Sequence, residues 1–357
     1  MPNKLLQIAE QYLQEFVAPQ ADKIDKDSQA LAIALQGMGD RNLLALRVSQ
    51  NWGGGGFSTK EFRLFQEIIS RYSGALAFLQ TQHQSAAYRL MKSSNELLKQ
   101  KYLPFTSQGE ILLGIGFSHV RRPGEPIAKA FPVSGGYRLE GKIPWLTGFS
   151  FFHHFIVGAT LPDGEVVYGM MPFQNSQEKE GEISFSLPQK LAAVNSTNTV
   201  SASLQNWFLP QEQVVSLQPA GKIHQQDKNN VLQQAFYSLG CARAGLDIMA
   251  ASYDKKQLSF IKDAFLILEQ ELSKLRENLL EAEENVEASF REKLTLRAKA
   301  INLAGCCAQG AVAVSSGAAN YANHPAQRVY QEALLFSVSG QTTDVMAATL
   351  TQLTQKE

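Results

Sequence analysis

The chain has 357 residues, with 33 basic and 33 acidic side chains, so its formal net charge is zero at neutral pH. That balance argues against a nucleic-acid partner or an anionic membrane surface, because both require an excess of lysine and arginine. The length is sufficient for two or three packed units with a large core. A protein that acts on small molecules fits these limits better than a nucleic-acid or membrane binder.

Cysteine usage and the first residues bear on the compartment. Cys241, Cys306 and Cys307 are too few and too badly spaced for a disulfide framework or a zinc site, so we expect no metal. Adjacent Cys306 and Cys307 lie in an apolar stretch and are predicted to fill the core. The first residues mix acidic side chains and glutamines among the apolar ones, unlike a signal or transit peptide. We therefore expect a soluble, cytoplasmic protein without a membrane partner.

Apolar residues recur at helical spacing through the first third of the chain. The pattern predicts helices over residues 5–16, 30–38, 60–69 and 75–91, and Pro19 is expected to end the first of them. The tract Gly53–Gly56 separates the second and third helices and is read as a loop or as a close backbone approach. His83, in the last helix, is predicted to be a hydrogen-bonded structural residue.

The stretch from Gly114 to Val157 differs in pattern from its surroundings. Its residues show no helical period, and the Gly135-Gly136 pair precedes an alternation of apolar and polar residues over 137–140. A second clear alternation occupies 200–205. These features predict a middle region built of strands.

From Asn229 onward the chain returns to helical spacing. Apolar positions predict one helix around 236–248, a second around 265–279, a third over 290–318 and a fourth over 327–353. Glu281–Glu284 is read as a polar turn between the second and third. Seams of only about three heptads favour a bundle within one domain over a free coiled coil.

One short segment identifies a family resemblance. Gly141-Lys142-Ile143-Pro144-Trp145-Leu146-Thr147 resembles the GxKxWIT segment of the acyl-CoA dehydrogenase superfamily, and it follows a strand–turn–strand unit as it does there. Lys101-Tyr102-Leu103-Pro104 is similar to the segment that leads into the family's β domain. The resemblance implies an α+β fold with an N-terminal helical domain (1–112), a middle β-barrel or sandwich domain (113–218) and a C-terminal four-helix bundle (219–357).

The resemblance also implies FAD as cofactor. In the family, the tryptophan and threonine of this segment lie against the isoalloxazine ring, so Trp145 and Thr147 are predicted to contact the flavin. Ser118 stands where the family has a threonine bonded to the flavin pyrimidine, and its hydroxyl can replace that threonine. Thr342 stands in the family's Glu-Gly-Thr segment and is predicted to bind the cofactor as well.

An acyl-CoA-like substrate follows from the same resemblance. Arg121 and Arg122 are predicted to clamp a phosphate of CoA or FAD, since a guanidinium meets phosphate oxygens with two bonds, although paired arginines in a polar loop can also be merely solvated. The family forms dimers or tetramers through its helix bundle. We therefore expect a homodimer or homotetramer.

The sequence has no acidic residue at either position where the family carries its catalytic base. Aligned without gaps, Gly340 occupies the position of the family's glutamate, and Asn230 occupies the alternative position on an earlier helix; neither can take a proton. Glu332, Glu125 and His119 are weak replacements. The family's arginine that reaches FAD pyrophosphate is also absent, with Lys256 as a possible point cation.

Three functions stay open at this stage. The first is a divergent FAD-dependent acyl-CoA dehydrogenase with a relocated base. The second is a flavin monooxygenase of the dibenzothiophene or hydroxyphenylacetate type, which has the same fold and needs no such glutamate. The third is a non-catalytic binding or scaffold protein that keeps the fold.

Overall fold

A computed structural model describes residues 3–177 and 181–354 of the chain. The helices within these residues are α1 (Lys4–Tyr12), α2 (Ala21–Lys26), α3 (Ser28–Gly39), α4 (Thr59–Tyr72), α5 (Gly74–Met91), α6 (Glu96–Tyr102), α7 (Lys222–Asn229), α8 (Ala235–Lys256), α9 (Ser259–Glu284), α10 (Phe290–Ser315), α11 (Pro325–Val338) and α12 (Thr343–Thr354). The strands are β1 (Leu113–Gly116), β2 (Ala128–Val133), β3 (Gly136–Leu146), β4 (His154–Thr160), β5 (Val166–Pro172), β6 (Ser176–Gln177), β7 (Glu182–Phe185), β8 (Val200–Pro210) and β9 (Val214–Gln218).

The N-terminal helices follow their sequence signals closely, with one correction. Ser58 and Glu61 form a capping box that starts α4, each side chain bonding the other's backbone N–H. The prediction that Pro19 ends the first helix is wrong. The chain passes from α1 through a π-helical turn into a 3₁₀ turn over Ala18–Gln20, where Pro19 lies at the first positions and its missing N–H is not needed.

His83 links the helices to the sheet. Its Nε2 lies 3.0 Å from the Thr106 carbonyl oxygen, and its Nδ1 accepts the backbone N–H of Leu113 at 2.9 Å. The side chain is completely buried, and desolvation lowers its pKa to about 4. The predicted structural role of this histidine is confirmed.

The strands form one sheet with the order β6-β7-β8-β3-β2-β4-β5-β9, and β1 pairs with β4 in parallel. Gly135 adopts a φ of +81° in the turn that joins β2 to β3, as the glycine pair predicts. The expectation that the stretch from Gly114 to Val157 contains only strand is wrong in one place, because a 3₁₀ turn occupies Ser118–Arg121.

Strand β3 changes face near its end. Ile143 lies opposite Ala202 of β8, whereas Leu146 lies opposite Val200, so β3 advances three residues while β8 advances two. Such a bulge shifts the side-chain alternation by one position. Leu146 is therefore buried together with Ile143, and Trp145, two residues after Ile143, points outward instead.

The C-terminal helices require three corrections. Glu281–Glu284 are the last residues of α9 rather than a turn, since glutamate is a good helix former. The predicted fourth helix is interrupted between α11 and α12, where Gly340 adopts a φ of +58°. The long helix that was expected from about residue 229 begins at Ala235, and the short α7 precedes it.

The predicted fold class is confirmed: helices, then a sheet, then helices, in one α+β chain. Cys307 is buried as expected, but Cys306 is exposed, which corrects half of the prediction that both fill the core. Over residues 3–177 and 181–354, no helix combines the length and the apolar character needed to cross a bilayer, and no cluster of histidine, cysteine and acidic side chains is placed to hold a metal ion.

Candidate functional site

A cavity of about 690 Å³ lies beside the end of β3. Trp145 lines it and is 47% exposed, which is unusual for the largest apolar side chain. The other lining residues are Arg122, Ile127, Lys142, Pro144, Gln189 and Ser201. A planar aromatic wall with cationic groups at its edge is suited to a flat, anionic organic ligand.

Thr147 lies behind this wall rather than on it. Its side chain is 7% exposed, and its hydroxyl shares a hydrogen bond of 3.0 Å with the hydroxyl of Thr199. Thr199 in turn lies 3.3 Å from the Thr197 hydroxyl. The three hydroxyls form a buried chain next to the exposed indole.

The 3₁₀ turn over Ser118–Arg121 presents the predicted hydroxyl to solvent. Ser118 is exposed, whereas the neighbouring His119 is buried and lies 2.9 Å from the Gly158 carbonyl through its Nε2. Desolvation lowers the pKa of His119 to about 4, so the ring is neutral at pH 7. Its Nδ1 is buried without a partner, and its low basicity makes it a poor proton acceptor.

The two predicted phosphate-binding arginines have different surroundings. Arg121 donates from Nε and Nη2 to the two carboxylate oxygens of Asp227 on α7, at 2.8 and 2.9 Å. Arg122 is exposed and lines the cavity beside Lys142. Only Arg122 therefore adjoins the wall formed by Trp145.

The turn between α11 and α12 carries the first of the two predicted base positions. Gly340 is exposed, and its left-handed backbone disfavours any residue with a Cβ. A Cβ placed there would lie 3.1 Å from Cγ of Gln234. Thr342 accepts the backbone N–H of Val345 at 3.3 Å and so caps the start of α12.

Arg297 fixes this turn. Its Nη2 donates to the carbonyl oxygens of Ser339 and Gly340 at 2.7 and 3.1 Å, and its Nη1 donates to that of Val231 at 3.0 Å. The side chain is 3% exposed, and desolvation lowers its pKa to about 10. Its Nε is buried without a partner. The turn at Gly340 and the segment before α8 are thus tied to one cation.

The second predicted base position faces solvent. Asn230 is exposed and donates from its side-chain amide to the Gln226 carbonyl at 2.8 Å. It follows α7 directly and precedes Val231, whose carbonyl Arg297 binds. Arg297 therefore binds the backbone at the first predicted base position and next to the second, and neither position carries an acidic side chain.

Glu332 on α11 has a structural environment. It is completely buried, accepts two bonds from Nη1 of Arg328 at 2.8 and 2.9 Å, and accepts the backbone N–H of Gly74 at 2.8 Å. Arg328 also donates to Asp22 of α2 at 2.9 Å. Glu332 thus joins the C-terminal helices to the N-terminal ones.

Four residues that shape the site were not singled out from the sequence. Asp227 and Arg297 act through partners more than 40 positions away, and no local pattern announces such pairs. Gln189 reaches the cavity from an irregular segment. Lys142 belongs to the segment that resembles the family. It directly precedes the buried Ile143 on β3, and successive side chains of a strand point to opposite faces, so Lys142 could have been placed on the cavity side.

Comparison with known proteins agrees with this architecture. Residues 3–110 match the family described as acyl-CoA dehydrogenase, N-terminal domain. The mitochondrial isovaleryl-CoA dehydrogenase of Solanum tuberosum is 29% identical over 214 residues, which cover 57% of this chain and 51% of that protein. The chain spans about half the length of the curated relatives it matches in this way.

Solved structures match over nearly the whole chain. Glutaryl-CoA dehydrogenase from Mycobacterium smegmatis superposes with a TM-score of 0.82 at 14% identity, covering 98% of this chain and 94% of that one. Butyryl-CoA dehydrogenase from Megasphaera elsdenii gives 0.78 at 16% identity, covering 98% and 97%. The fold is that of the acyl-CoA dehydrogenases.

The matching N-terminal region, the curated relatives and the shared fold confirm the resemblance that the segment at Trp145 predicts. The chain thus resembles the acyl-CoA dehydrogenase superfamily in the sequence of its N-terminal region and in its fold.

Proposed function

We propose that the protein is an FAD-dependent oxidoreductase of the acyl-CoA dehydrogenase type, acting on an acyl thioester. The observation that carries this proposal is the half-exposed Trp145 on the wall of a 690 Å³ cavity at the end of β3. Ligand sites in proteins commonly measure about 300–1,000 Å³, so a tricyclic ring and part of its side chain can be accommodated.

The residues present fit the ring end of a flavin. Trp145 would lie against the ring, and the buried hydroxyls of Thr147 and Thr199 would lie behind its edge. Arg122 and Lys142 supply positive charge for an anionic part of the ligand. A bound flavin would supply an acceptor for a hydride, which carries two electrons, and no amino-acid side chain can provide that.

The described residues include groups that could bind and orient a flavin, but no available group that could remove a proton from the substrate. Gly340 and Asn230 lack an acid, Glu332 is committed to Arg328 and Gly74, and His119 is buried with a low pKa. Removal of an α-proton by these groups is thus disfavoured at neutral pH. We propose that any acyl-CoA dehydrogenation here is slow or depends on a base supplied by the substrate or by a second copy of the chain.

The missing acids favour a second candidate, a flavin monooxygenase of the same fold. Such an enzyme uses reduced flavin and oxygen and needs no carboxylate at position 340 or 230. The open, left-handed turn at Gly340 and the exposed Asn230 are compatible with that chemistry. Homodimer or homotetramer formation and the division into domains at 112 and 218 remain predictions with either function.

One set of absorbance spectra tests the proposal. Purified protein is titrated with FAD and then, without oxygen, with short, branched and long acyl-CoA thioesters. If the protein is a dehydrogenase, we expect at least one thioester to bleach the visible absorption band of the bound flavin. Stable yellow colour without bleaching, together with oxygen uptake when the flavin is reduced chemically, supports the second candidate. No uptake of FAD contradicts both.

A further inference from the structure

The segment between β7 and β8 holds a backbone conformation that its sequence does not favour. Val194 has a φ of +52° and Asn198 a φ of +49°, so both residues lie in the left-handed region. Asparagine tolerates that region, but a β-branched valine is a genuine exception there. Val194 is also completely buried. Such a residue keeps a strained conformation only when its surroundings fix it.

The N-terminal helices supply two contacts that fix this segment. Asp25 on α2 is 4% exposed and accepts the backbone N–H of Val194 at 2.9 Å. Ser28, the first residue of α3, donates its hydroxyl to the side-chain carbonyl oxygen of Asn198 at 3.1 Å. A carboxylate in the interior is a strong acceptor, because little water competes for it. Each left-handed residue is thus bonded to a different helix.

Side-chain hydrogen bonds continue from Val194 to the wall of the cavity beside Trp145. The Thr197 hydroxyl donates to the Val194 carbonyl at 2.8 Å and lies 3.3 Å from the Thr199 hydroxyl. The Thr199 hydroxyl lies 3.0 Å from that of Thr147 at the end of β3. The buried chain of hydroxyls behind the indole therefore begins at the strained residue.

The backbone provides two further links to the same wall. Gly148 donates its N–H to the Thr197 carbonyl at 2.9 Å. Gln189, which lines the cavity, donates its N–H to the Thr199 carbonyl at 2.8 Å. A change in the conformation of this segment would therefore displace both the residues that follow β3 and a side chain of the cavity lining.

An ion pair does not explain the carboxylate on α2. Desolvation raises the pKa of Asp25, and the hydrogen bond from the segment and the charges of Arg328 and Lys26 only partly oppose it. Arg328 already binds Asp22 and Glu332, and none of its ion pairs within residues 3–177 and 181–354 includes Asp25. Neither α3 nor the segment from 194 to 198 carries an ionisable side chain. The bond that this carboxylate accepts from the segment is thus its main contact.

We propose that Asp25 is a positioning residue for the cavity beside Trp145. It holds Val194 in the left-handed conformation and, through the segment that follows, fixes Thr147 and Gln189. The identity of the ligand as a flavin rests on the proposed function, whereas the coupling between Asp25 and the cavity wall rests on the hydrogen bonds of the segment.

Fluorine NMR of the full chain labelled with fluorotryptophan tests this coupling. The chain has three tryptophans, and the signal of Trp145 is assigned by its loss in Trp145→Phe. Asp25→Ala removes the acceptor and is expected to shift that signal and leave the other two in place. Asp25→Asn keeps an acceptor oxygen but loses the charge, so all three signals are expected to stay unchanged.

Asp22→Ala is the matched control on the same helix. It removes a bond of 2.9 Å to Arg328 and leaves the bond between Asp25 and Val194 in place, so the Trp145 signal is expected not to move. A merely structural role of α2 predicts that Asp22→Ala and Asp25→Ala shift the signal alike. A role of charge predicts that Asp25→Asn shifts it as Asp25→Ala does. Either result would overturn the proposal.

A further variant serves if Asp25→Ala folds poorly. Asp25→Glu keeps the charge but adds a methylene group, and a buried site cannot accommodate the longer side chain with the same hydrogen bond. We expect the Trp145 signal to shift in this variant although its charge is unchanged. An unshifted signal in Asp25→Glu would contradict the proposal.

Hydrogen exchange measures the size of the effect. The backbone amides of Gly148 and Phe149 donate to the carbonyls of Thr197 and Asn198. They are expected to exchange about tenfold faster in Asp25→Ala, and less than about twofold faster in Asp25→Asn and Asp22→Ala. Rates in Asp25→Ala equal to those of the unsubstituted protein would show that the segment does not need this carboxylate.

FAD titration separates this inference from the proposed function. If FAD binds, Asp25→Ala is expected to weaken its affinity about tenfold and Asp25→Asn less than about twofold. Equal affinity in Asp25→Ala would show that the wall does not depend on Asp25. Failure of every protein to bind FAD contradicts the proposed function and leaves the fluorine signals and exchange rates to decide on the coupling.

Discussion

The end of β3 and the turn between α11 and α12 differ in how well they match the pattern that the sequence resemblance predicts. The β3 end has the predicted tryptophan and threonine, with the indole open to a cavity. The turn has glycine at the predicted position of the base, and a buried arginine holds its carbonyls. Under the proposed function, the surface for a flat ring is kept while the group that moves a proton is not.

The largest expected effect concerns Glu332, the buried acid on α11, the helix that precedes that turn. Glu332→Gln leaves Arg328 without its buried partner, and we expect it to lower the free energy of unfolding by about 3–5 kcal/mol. Urea unfolding measures this. Glu125→Gln removes an exposed pair with Lys129 and serves as the control, with little change expected. A stable Glu332→Gln variant that loses turnover would instead make Glu332 a base and reverse the comparison.

Acid pH tests the histidines on the sheet side. His83 and His119 have pKa values of about 4 in the folded protein, against 6.5 for an ordinary histidine. Between pH 6.5 and pH 4, the unfolded chain therefore binds protons at these two side chains and the folded chain does not. Stability is therefore full above pH 6.5 and falls as the pH drops toward 4, by about 1.4 kcal/mol per pH unit for each histidine.

Unfolding followed between pH 7 and pH 4 measures that slope. His83→Gln and His119→Gln are each expected to reduce it, although each also lowers the stability at pH 7. An unchanged slope in both variants would show that these rings are not neutral when folded.

Replacement of the exposed indole tests the ring-binding half of the comparison. Trp145→Ala is expected to weaken FAD binding about tenfold, because a stacked aromatic contact and its buried area are lost. The thermal midpoint should change little, since the side chain is already 47% exposed. Phe131→Ala, on β2 of the same sheet and 39% exposed, is the matched control. Equal affinities in all three proteins would place the flavin elsewhere.

The smallest expected effect concerns reintroduction of an acid. Gly340→Glu forces a side chain onto a left-handed backbone against Gln234 and is expected to cost about 1 kcal/mol. Asn230→Glu is exposed and should alter stability by less than about 0.5 kcal/mol. Faster bleaching of bound flavin by acyl-CoA is expected for Asn230→Glu alone. Restoration by Gly340→Glu would show that the turn can still hold the base.

Local signals explain what the sequence predicted well. The segment ending at Thr147 combines a strand, a turn and an aromatic residue within a few positions, so its place in the fold could be recognised directly. The buried face of α4 is likewise encoded within one or two turns. These parts of the fold required no knowledge of distant residues.

Long-range partners explain what the sequence did not predict. Helix α7 is polar nearly all round, so its apolar pattern was too weak to be read. The break after α11 depends on Arg297, which binds the carbonyls of Ser339 and Gly340 from another helix. Arg121 was read as free to bind phosphate because its partner Asp227 lies more than 100 positions away.

The bulge at the end of β3 bears on how such a site can arise. Ile143 and Leu146 keep the core filled on both sides of the irregularity, so the outward direction of Trp145 results from the one extra residue that β3 has between these two positions. Deletion of a single codon between Ile143 and Leu146 would therefore be expected to restore the alternation there and to bring a different side chain to the wall of the cavity.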